Sequence, residues 1–406
     1  MTHSEIIVIG GGAVGCATAY QLALAGHPSI RVIEKARSLA SETTAQAAGL
    51  VGQVRNSLER THLAMWSVNT FTTLEQDEHS RPGWRQVGSL RIALNSERVE
   101  EFKRMKQVAD LAGLEVTFLD SRSAQTKWPL MDFSQIQAAL WCPTDGYLQP
   151  SDLTMAYAAH ARRMGVTFQT GTAVQDIKVS HGQVIGIDTD HGPIACNLVI
   201  NAAGAHAYHI ARSAGIELPI IPVRHEYFVT VSSEGMHPAL PVIRIPDASL
   251  YLRAETDALL CGGWEPDSLH TDPRQYTLPE STPGIETDWN VLSMFANQLS
   301  PFFPQVNELG IRGVFKGWPT FTPDGRFIIG ESCRLRGFVM AGGCNAHGVS
   351  GSAGIGRHVV ESLSEDTRSD YVASLSPDRF TETRWDWETA CQKAQHDYQT
   401  YYALDH

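Results

Sequence analysis

A glycine pattern near the N-terminus constrains the fold of this chain more than any other feature. Gly10, Gly12 and Gly15 form a GxGxxG motif, which follows an apolar run at residues 6–9 and precedes a helical pattern at residues 13–25. In such a turn the first glycine permits the tight bend, the second lets the backbone approach a pyrophosphate, and the third lets the helix pack on the strand. The pattern therefore predicts a strand–turn–helix unit that holds phosphate at the helix N-terminus.

An acidic residue and two later strands extend this prediction. Glu34 ends the second apolar strand, 19 residues after Gly15, where a carboxylate can hydrogen-bond a ribose hydroxyl group. These features favour dinucleotide binding without separating NAD from FAD. Strands at residues 199–204 and 338–343 end in small residues, as expected where backbone passes close to a dinucleotide. The helix start at residues 345–351 can stabilise negative charge on the pyrimidine end of a reduced flavin, which favours FAD.

Composition excludes several classes of protein. The chain has 406 residues, 43% of them hydrophobic, enough for two or three structural units at ~150 residues per domain. Its 32 Lys+Arg against 44 Asp+Glu give a net charge of −12, which argues against a nucleic-acid partner. No apolar run approaches the ~18 residues of a membrane span, and the N-terminus lacks a signal-peptide pattern. Seven scattered cysteines favour reduced thiols in a cytoplasmic protein and give no support to a metal site.

Several stretches carry a resemblance to a known family. They are residues 43–50 (TTAQAAGL), 145–150 (DGYLQP), 225–230 (HEYFVT), 247–253 (DASLYLR), 262–265 (GGWE), 321–325 (FTPDG) and the aromatic tail 379–402. The chain resembles the D-amino-acid-oxidase-like FAD enzymes, and most of all the FAD portion of dimethylglycine and sarcosine dehydrogenases. The resemblance covers nearly the whole chain, and it indicates the branch rather than the substrate.

The resemblance and the strand patterns together predict an α/β fold (α+β overall). We expect a discontinuous Rossmann-like FAD-binding domain with an inserted antiparallel β-rich substrate domain. The predicted FAD-binding domain comprises residues 1–80, 145–215 and 310–370, the substrate domain comprises 81–144 and 216–309, and the tail 371–406 packs on the FAD-binding domain. The predicted FAD-binding residues are Gly10, Gly12, Ala13, Val14, Gly15, Glu34, Lys35, Thr43, Thr44, Gln46, Ala48, Gly49, Leu50, Val174, Ala203, Gly204, Gly342, Gly343, Asn345, His347, Gly348, Val349 and Ser350.

Three departures from the family pattern shape the prediction. Gln46 stands where relatives attach FAD covalently to a histidine, so we expect non-covalent FAD. The chain ends at His406 without the folate-binding region of longer relatives, so a released one-carbon unit is expected to leave as formaldehyde. Cys261 stands about where related oxidases place an oxygen-activating lysine, which favours a dehydrogenase. The electron acceptor, oxygen or an electron carrier, is left open.

On the substrate side, the resemblance places a histidine and a tyrosine beside the flavin, at His225 and Tyr251. A neutral imidazole or a phenol can accept a hydrogen bond from a substrate ammonium or take its proton. The alternative is a buried histidine and a packing tyrosine. Trp318 replaces the arginine that often binds a substrate carboxylate in the wider superfamily. The candidate substrate-binding residues are Arg253, Lys316, Trp318 and His347, and Arg224 is a further candidate for binding a carboxylate.

The predicted function is FAD-dependent oxidation of a secondary or tertiary amine, such as an N-methyl amino acid of the sarcosine or dimethylglycine type. Hydride passes to flavin N5, and the imine hydrolyses to release formaldehyde. The alternatives are oxidation of a D-amino acid or cyclic imino acid, a flavin-binding subunit of a hetero-oligomer, and an NAD-binding protein. The expected partners are a small-molecule amine and an electron acceptor, with neither nucleic acid nor a membrane, and the oligomeric state is left open.

Overall fold

A computed structural model describes residues 6–277 and 282–404. The strands are β1 (Ile6–Ile9), β2 (Ile30–Ile33), β3 (Leu50–Val51), β4 (Ser89–Ala93), β5 (Thr117–Leu119), β6 (Ala138–Cys142), β7 (Gly146–Tyr147), β8 (Thr167–Gln169), β9 (Val174–Ser180), β10 (Gln183–Thr189), β11 (Gly192–Ala195), β12 (Leu198–Asn201), β13 (Ile221–Pro222), β14 (His225–Ser232), β15 (Val242–Ile245), β16 (Leu250–Glu255), β17 (Ala258–Gly263), β18 (Ile311–Gly317), β19 (Thr320–Phe321), β20 (Ile328–Glu331) and β21 (Phe338–Gly342). The helices are α1 (Ala13–Leu24), α2 (Leu58–Glu75), α3 (Ser96–Ala112), α4 (Ser121–Lys127), α5 (Pro150–Arg163), α6 (Ala207–Ser213), α7 (Trp289–Leu299), α8 (Ser352–Ser362), α9 (Asp370–Ser374), α10 (Asp378–Thr381) and α11 (Trp387–Gln399).

A six-stranded sheet forms around the N-terminal strand, in the order β20-β21-β12-β1-β2-β8. All neighbours run parallel except β20 and β21. Strand β1 is buried along its whole length because both faces of the sheet are covered. Helices α1, α5 and α8 pack together in one hydrophobic core, and β9 and β10 contribute to a second core that also includes residues of β1 and β12. This confirms the α/β prediction and the strand–turn–helix start.

Residues at the ends of two helices show how local residue types set the helix boundaries. Helix α1 ends at Leu24 with Ala25 as its C-cap, and Gly26 follows in the left-handed region with φ of 81°. Helix α5 begins at Pro150, with Gln149 in the N-cap position. Proline suits the first helical position because its missing N–H has no partner there in any helix. Asp152 lies in the first turn.

The second large sheet has eight strands in the order β18-β14-β17-β16-β15-β4-β6-β5. Its neighbours are antiparallel except β15 and β4, which run parallel. One face packs on helix α7 through a hydrophobic core that includes Leu252 and Phe295. The other face is turned toward the segment 43–50, since Arg253 reaches the Ala48 carbonyl oxygen from this sheet. This sheet is the β-rich unit that the sequence predicted.

Strand pairing and helix contacts bear on two of the predicted domain segments, residues 310–370 and the tail 371–406. Strand β18 lies in the segment assigned to the FAD-binding domain but pairs along its length with β14 of the eight-stranded sheet. Helix α9 contacts β20, whereas helix α11 contacts β13 and β19. The tail therefore does not pack on the six-stranded sheet alone, because its aromatic residues join rings of the eight-stranded sheet. Elsewhere the domain boundaries stay a prediction.

Across residues 6–277 and 282–404, no helix combines the length and apolarity needed to cross a bilayer. Within the same residues, no group of three or more His, Cys, Asp or Glu side chains is arranged to hold a metal ion.

Candidate active site

One cavity is lined by residues of both large sheets. Most predicted FAD-binding residues line it: Gly10, Gly12, Ala13, Val14, Glu34, Lys35, Thr43, Thr44, Gln46, Ala48, Gly49, Leu50, Val174, Ala203, Gly204, Gly342, His347, Gly348, Val349 and Ser350. His225, Tyr251 and Trp318 line the same cavity, whereas Gly15, Gly343, Asn345, Arg253 and Lys316 do not. Most of the predicted FAD-binding residues and the predicted substrate-side residues His225, Tyr251 and Trp318 therefore line the same cavity.

The turn before helix α1 shapes one part of this cavity. Gly10 has φ of 112°, and a Cβ atom there would overlap the carbonyl oxygen of Ala202. A Cβ atom at Gly15 would overlap the carbonyl oxygen of Gly10, so this glycine lies beneath the turn and permits its close packing. Gly12 occupies the N-cap position of α1 without a side-chain hydrogen bond, and Thr44 Oγ1 lies 3.2 Å from the Ala13 nitrogen. The helix N-terminus thus presents backbone N–H groups and its positive dipole end to an anion.

Glu34 is held in place at the end of β2. The Gly11 N–H group donates to Glu34 Oε2 at 2.6 Å, and the Ala36 N–H group donates to Glu34 Oε1 at 2.8 Å. Each carboxylate oxygen can accept more than one hydrogen bond, so both retain capacity for a hydroxyl donor. A carboxylate fixed in this way suits a ribose diol.

Lys35 is neutralised inside the cavity. Its ammonium lies 2.7 Å from Glu42 Oε1 and 2.8 Å from His206 Nε2. Burial alone would raise the pKa of Glu42, but the hydrogen bonds with His206 and Lys35 outweigh it and lower that pKa to about 2. Glu42 is therefore ionised near neutral pH and balances the charge of Lys35.

Contacts with neighbouring backbone and with Arg253 hold the segment 43–50 in place. Gly49 has φ of 74°, and a Cβ atom there would overlap the Leu148 carbonyl oxygen. Arg253 Nε–H donates to the Ala48 carbonyl oxygen at 2.7 Å, and Arg253 Nη2 pairs with Glu255 at 2.6 Å. Arg253, predicted on the substrate side, thus supports this segment from outside the cavity, because its guanidinium is already occupied.

The other predicted cations are also occupied elsewhere. Lys316 Nζ donates to Thr287 Oγ1 at 2.9 Å. Arg224 pairs with Glu265 at 3.4 Å and with Asp288 at 3.1 Å. Neither Arg224 nor Lys316 lines the cavity, so we do not propose them as ligands of a substrate carboxylate.

A strained turn precedes helix α8. Asn345 and Ala346 have φ of 44° and 60°, which is uncommon for residues other than glycine. Asn345 holds the turn because its Oδ1 accepts from the Thr322 N–H at 3.0 Å and its Nδ2 donates to the Gly343 carbonyl at 2.7 Å. Gly343 and Asn345 shape the turn from behind rather than lining the cavity. Backbone strain of this kind persists where the surroundings over-determine it, often at functional sites.

His347 lines the cavity with both ring nitrogens engaged. Its Nδ1 lies 2.7 Å from the Asn345 carbonyl oxygen, and its Nε2 lies 3.1 Å from the Tyr401 hydroxyl. Burial lowers its pKa well below the usual value, and nearby Arg55 acts in the same direction. The ring is therefore neutral, with Nδ1 donating to the carbonyl and Nε2 accepting from Tyr401.

His225 and Tyr251 form a hydrogen-bonded pair at the cavity. His225 Nε2 lies 2.7 Å from the Tyr251 hydroxyl, and the two rings are stacked. Burial lowers the pKa of His225 to about 4 and raises the pKa of Tyr251 well above its usual value. Both side chains are therefore neutral near pH 7. A Cβ atom at Gly262 would overlap the Tyr251 hydroxyl, so this glycine makes room for the pair.

A chain of contacts continues behind this pair. His225 Nδ1 lies 2.9 Å from the Tyr398 hydroxyl, and that hydroxyl donates to Glu265. Burial raises the pKa of Glu265, and the hydrogen bond from Tyr398 and the Arg224 guanidinium oppose the rise. With Glu265 ionised, the single Tyr398 proton goes to the carboxylate, so the Tyr398 oxygen accepts from His225 Nδ1–H. His225 Nε2 then accepts from Tyr251, which leaves lone pairs of the Tyr251 oxygen free.

Cys261 lies on the opposite face of the eight-stranded sheet. It belongs to the hydrophobic core that packs on helix α7 and does not line the cavity. Its identity therefore carries no information about oxygen activation, and the argument from Cys261 for a dehydrogenase does not hold.

Comparison with known proteins agrees with this arrangement. A model of the FAD dependent oxidoreductase (DAO) family matches residues 5–362. The chain belongs to this family. It is 31% identical over 382 residues to 4-methylaminobutanoate oxidase (formaldehyde-forming) of Paenarthrobacter nicotinovorans, covering 94% of this chain and 46% of that protein. It is 33% identical over 366 residues to the human mitochondrial sarcosine dehydrogenase, covering 88% of this chain and 39% of that protein.

The chain spans less than half the length of these two curated relatives. The solved structure of L-proline dehydrogenase from P. horikoshii superposes with a TM-score of 0.84 at 26% identity, covering 93% of this chain and 98% of that one. The predicted FAD family and its dimethylglycine and sarcosine dehydrogenase branch are thereby confirmed.

The residues present fit FAD. The uncapped N-terminus of α1 suits the pyrophosphate, and Glu34 with two spare acceptor sites suits the ribose. The glycines at positions 10 and 49 let the backbone that lines the cavity pack closely on the Ala202 and Leu148 carbonyl oxygens, which a Cβ atom would overlap.

Several cavity-lining residues were not predicted from the sequence. They are Arg55, Arg91, Arg244, Trp264, Tyr401 and Tyr402. Trp264 stacks on Tyr401 with ring centroids 3.8 Å apart, which draws the end of the tail over the cavity. The aromatic residues of the tail are the sequence feature that could have indicated Tyr401 and Tyr402, although the sequence predicts only that the tail packs on the FAD-binding domain. Arg91 and Arg244 sit between apolar neighbours in their strands, a pattern that is more often a solvated strand face, and Arg55 lies outside any strand.

Proposed function

We propose that this protein oxidises a secondary or tertiary amine of the N-methyl amino acid type. When bound, FAD supplies the N5 atom that accepts a hydride from the carbon next to the amine nitrogen. The resulting imine hydrolyses in water, so an N-methyl substrate yields formaldehyde and the demethylated amine. The observation that carries the proposal is the neutral Tyr251–His225 pair in the same cavity as the dinucleotide cradle.

The pair has the polarity that an amine substrate needs. The Tyr251 hydroxyl donates to His225 Nε2, so its oxygen accepts a hydrogen bond from the substrate N–H group. Oxidation requires the neutral amine, because the nitrogen lone pair must assist the loss of hydride. The Tyr251 oxygen, oriented by its hydrogen bond to His225, accepts from the neutral amine and holds its nitrogen in place for the loss of hydride. A neutral imidazole suits this role because it adds no positive charge beside the amine.

The tail restricts water in this cavity. Tyr401 and Tyr402 line it, and Tyr401 stacks on Trp264 and contacts His347 through its hydroxyl. The Tyr402 carbonyl oxygen accepts from Arg98 Nη2 at 2.6 Å, which anchors the chain end to helix α3. Limiting water beside the reacting carbon strengthens the polar contacts of the pair.

The relatives support the substrate class. The bacterial relative is a formaldehyde-forming oxidase of 4-methylaminobutanoate, and the human relative is a sarcosine dehydrogenase. Both names denote oxidation of an N-methylated amino acid. Formaldehyde release and a cytoplasmic location are parts of the same proposal.

We also propose that FAD is bound non-covalently. Gln46 lines the cavity, and its amide is not a nucleophile that forms a stable bond to the flavin. Acid precipitation of the purified yellow protein tests this. All flavin is expected in the supernatant, and flavin that remains with the precipitate would overturn it.

A second candidate function is oxidation of a cyclic imino acid. The observation that favours it is the likeness to L-proline dehydrogenase over nearly the whole of both chains. Oxidation of a ring carbon leaves the imine tethered, so no formaldehyde is released. A D-amino acid remains a related alternative, and it would give ammonia.

The test is anaerobic mixing of the FAD-loaded protein with N-methylglycine, N,N-dimethylglycine, proline and D-alanine. Loss of flavin absorbance with an N-methyl amine, together with stoichiometric formaldehyde, is the expected result. Reduction only by proline or D-alanine would overturn the proposal in favour of the second candidate. Loaded protein that none of these amines reduces would favour a flavin-binding subunit of a larger oxidoreductase. Admission of air after reduction distinguishes oxygen from an electron carrier as acceptor.

A further inference from the structure

Two arginines lie in one row with Tyr251 across the eight-stranded sheet. Tyr251 is paired with Arg244 across β16 and β15, and Arg244 is paired with Arg91 across β15 and β4. Residues directly opposite each other on neighbouring strands point to the same face of a sheet. All three residues line the cavity. The row therefore extends from the proposed amine contact toward two guanidinium groups.

A third guanidinium joins them from a different element. Arg55 follows strand β3 and lines the same cavity. Its Nη1 donates to the Val54 carbonyl oxygen at 3.0 Å, and Arg91 Nη2 donates to the same oxygen at 3.2 Å. Two like charges are thus held on one carbonyl. Arg244 is adjacent, and a Cβ atom at Gly52 would lie only 3.2 Å from its Nη1 and Nη2 atoms.

In the part of the chain that the structure describes, the guanidinium groups of Arg55, Arg91 and Arg244 are held together without a direct carboxylate partner. Within residues 6–277 and 282–404, none of them makes an ion pair with a carboxylate. Arg244 is 8% exposed, and its buried Nη1 has no hydrogen-bond partner. Burial of unpaired charge is costly, so clustered cations persist where a ligand neutralises them. Burial lowers the pKa of Arg55 to about 10, and Arg91 and Arg244 act in the same direction.

The formal charges of the ionisable side chains around the cavity give its net charge. Arg55, Arg91 and Arg244 contribute three positive charges. Burial and the nearby Arg244 lower the pKa of Arg91, whereas the buried Asp145, whose oxygens accept from Gln53 and Ser89, opposes this shift and brings one formal negative charge. Lys35 and Glu42 neutralise each other, and Glu34 belongs to the ribose end. The phosphate cradle is built by other elements, β1 and α1. The formal charge of this cluster beside the amine site is therefore about +2, counting Arg55, Arg91 and Arg244 against Asp145.

We propose that the substrate is a dianion, an N-alkyl amino dicarboxylate whose two carboxylates are bound by Arg55, Arg91 and Arg244. This inference rests on the proposed amine oxidation. A guanidinium fork pairs with a carboxylate through two parallel hydrogen bonds, so three forks provide for two carboxylates. A single carboxylate would leave one positive charge of the cluster buried and unmatched. The row geometry then places the amine at Tyr251 and the acid groups at the arginines.

The first test uses non-reacting probes on the FAD-loaded protein. Glutarate and butyrate are titrated while the flavin spectrum and the heat of binding are followed. Glutarate is expected to bind about 100-fold more tightly, and Arg91→Gln or Arg244→Gln is expected to remove most of this difference. Arg244→Lys should retain part of it, because the charge remains. Arg104→Gln, on the exposed face of α3, is the matched control and should leave it unchanged.

The second test separates this inference from the proposed function. Anaerobic flavin reduction is compared for N-methylaspartate and N-methylglutamate against N-methylglycine. A kcat/KM at least about 100-fold higher for a dicarboxylate is expected, with selective loss in the arginine variants. Equal rates, or equal losses on both substrate types, would overturn the dianion inference and leave amine oxidation standing. Retained preference for glutarate without reduction by any N-methyl amine would overturn the proposed function instead. Loss of FAD from both variants would assign the arginines to the cofactor and also overturn the inference.

Discussion

Tyr398→Phe tests the chain of contacts behind the proposed amine site. The change removes one oxygen atom, which accepts from His225 Nδ1 at 2.9 Å and donates to Glu265. A buried polar group left without its partner costs about 1–3 kcal/mol. Two such groups predict a loss of about 2–6 kcal/mol in the free energy of unfolding. His225 also loses the acceptor that holds the proton on Nδ1, so Nε2 can carry the proton and occupy the Tyr251 oxygen.

We therefore expect flavin reduction by an N-methyl amine to slow about 10–100-fold, which corresponds to about 1.4–2.8 kcal/mol. Anaerobic stopped-flow measurements on protein with verified FAD content supply the rate. The wild-type rate should fall at acid pH as Glu265, whose pKa burial raises, takes up a proton and reverses the polarity of the contacts. In the Tyr398→Phe variant, the rate of flavin reduction should no longer show this fall at acid pH. Tyr371→Phe, which removes a hydroxyl outside this chain of contacts, is the control. An unchanged rate and pH profile in Tyr398→Phe would refute the reasoning.

Three further predictions concern the cradle, its support and the histidine. Gly10→Ala should abolish FAD binding, because the new Cβ atom overlaps the Ala202 carbonyl oxygen and φ is 112°; the flavin-to-protein absorbance ratio measures this, and normal FAD content would contradict it. Arg253→Met leaves the Ala48 carbonyl without its donor and should cost about 3 kcal/mol of stability and weaken FAD binding, measured by urea unfolding and FAD titration, where unchanged values would contradict it. The pKa of His225 is about 4 in the folded protein and about 6.5 unfolded, so the unfolded chain binds more protons between these values and stability falls as pH drops from 6.5 toward 4; His225→Gln should flatten this dependence of Tm on pH, and an unchanged slope would contradict it.

The dinucleotide cradle could be predicted from the sequence because it is local. Gly10, Gly12 and Gly15 lie within six residues, and each occupies a position in one turn where a Cβ atom would come within 3.0 Å of a neighbouring atom. Glu34 follows one helix and one strand later, at a spacing that the strand–turn–helix unit fixes. His225 and Tyr251 were found through family resemblance. Their hydrogen bond joins two strands of one sheet.

The tail illustrates what local reasoning missed. Its aromatic residues predicted packing, but their partners are distant in sequence. Tyr398 contacts His225, and Tyr401 stacks on Trp264. Which rings meet depends on where helix α11 lies against β13 and β19, and the composition of the tail does not encode this placement.

The arginine row shows how strand alternation and sheet order combine to make a site. Arg91 lies between Leu90 and Ile92, and Arg244 lies between Ile243 and Ile245, with these apolar neighbours in the core against α7. Because side chains alternate along a strand, burial of the apolar neighbours fixes both arginines on the cavity face. A slip of one residue between strands would expose the apolar side chains and bury both guanidinium groups in the core. The same hydrophobic burial that stabilises the sheet therefore aligns Arg91 and Arg244 with Tyr251, although 160 residues separate the first from the last.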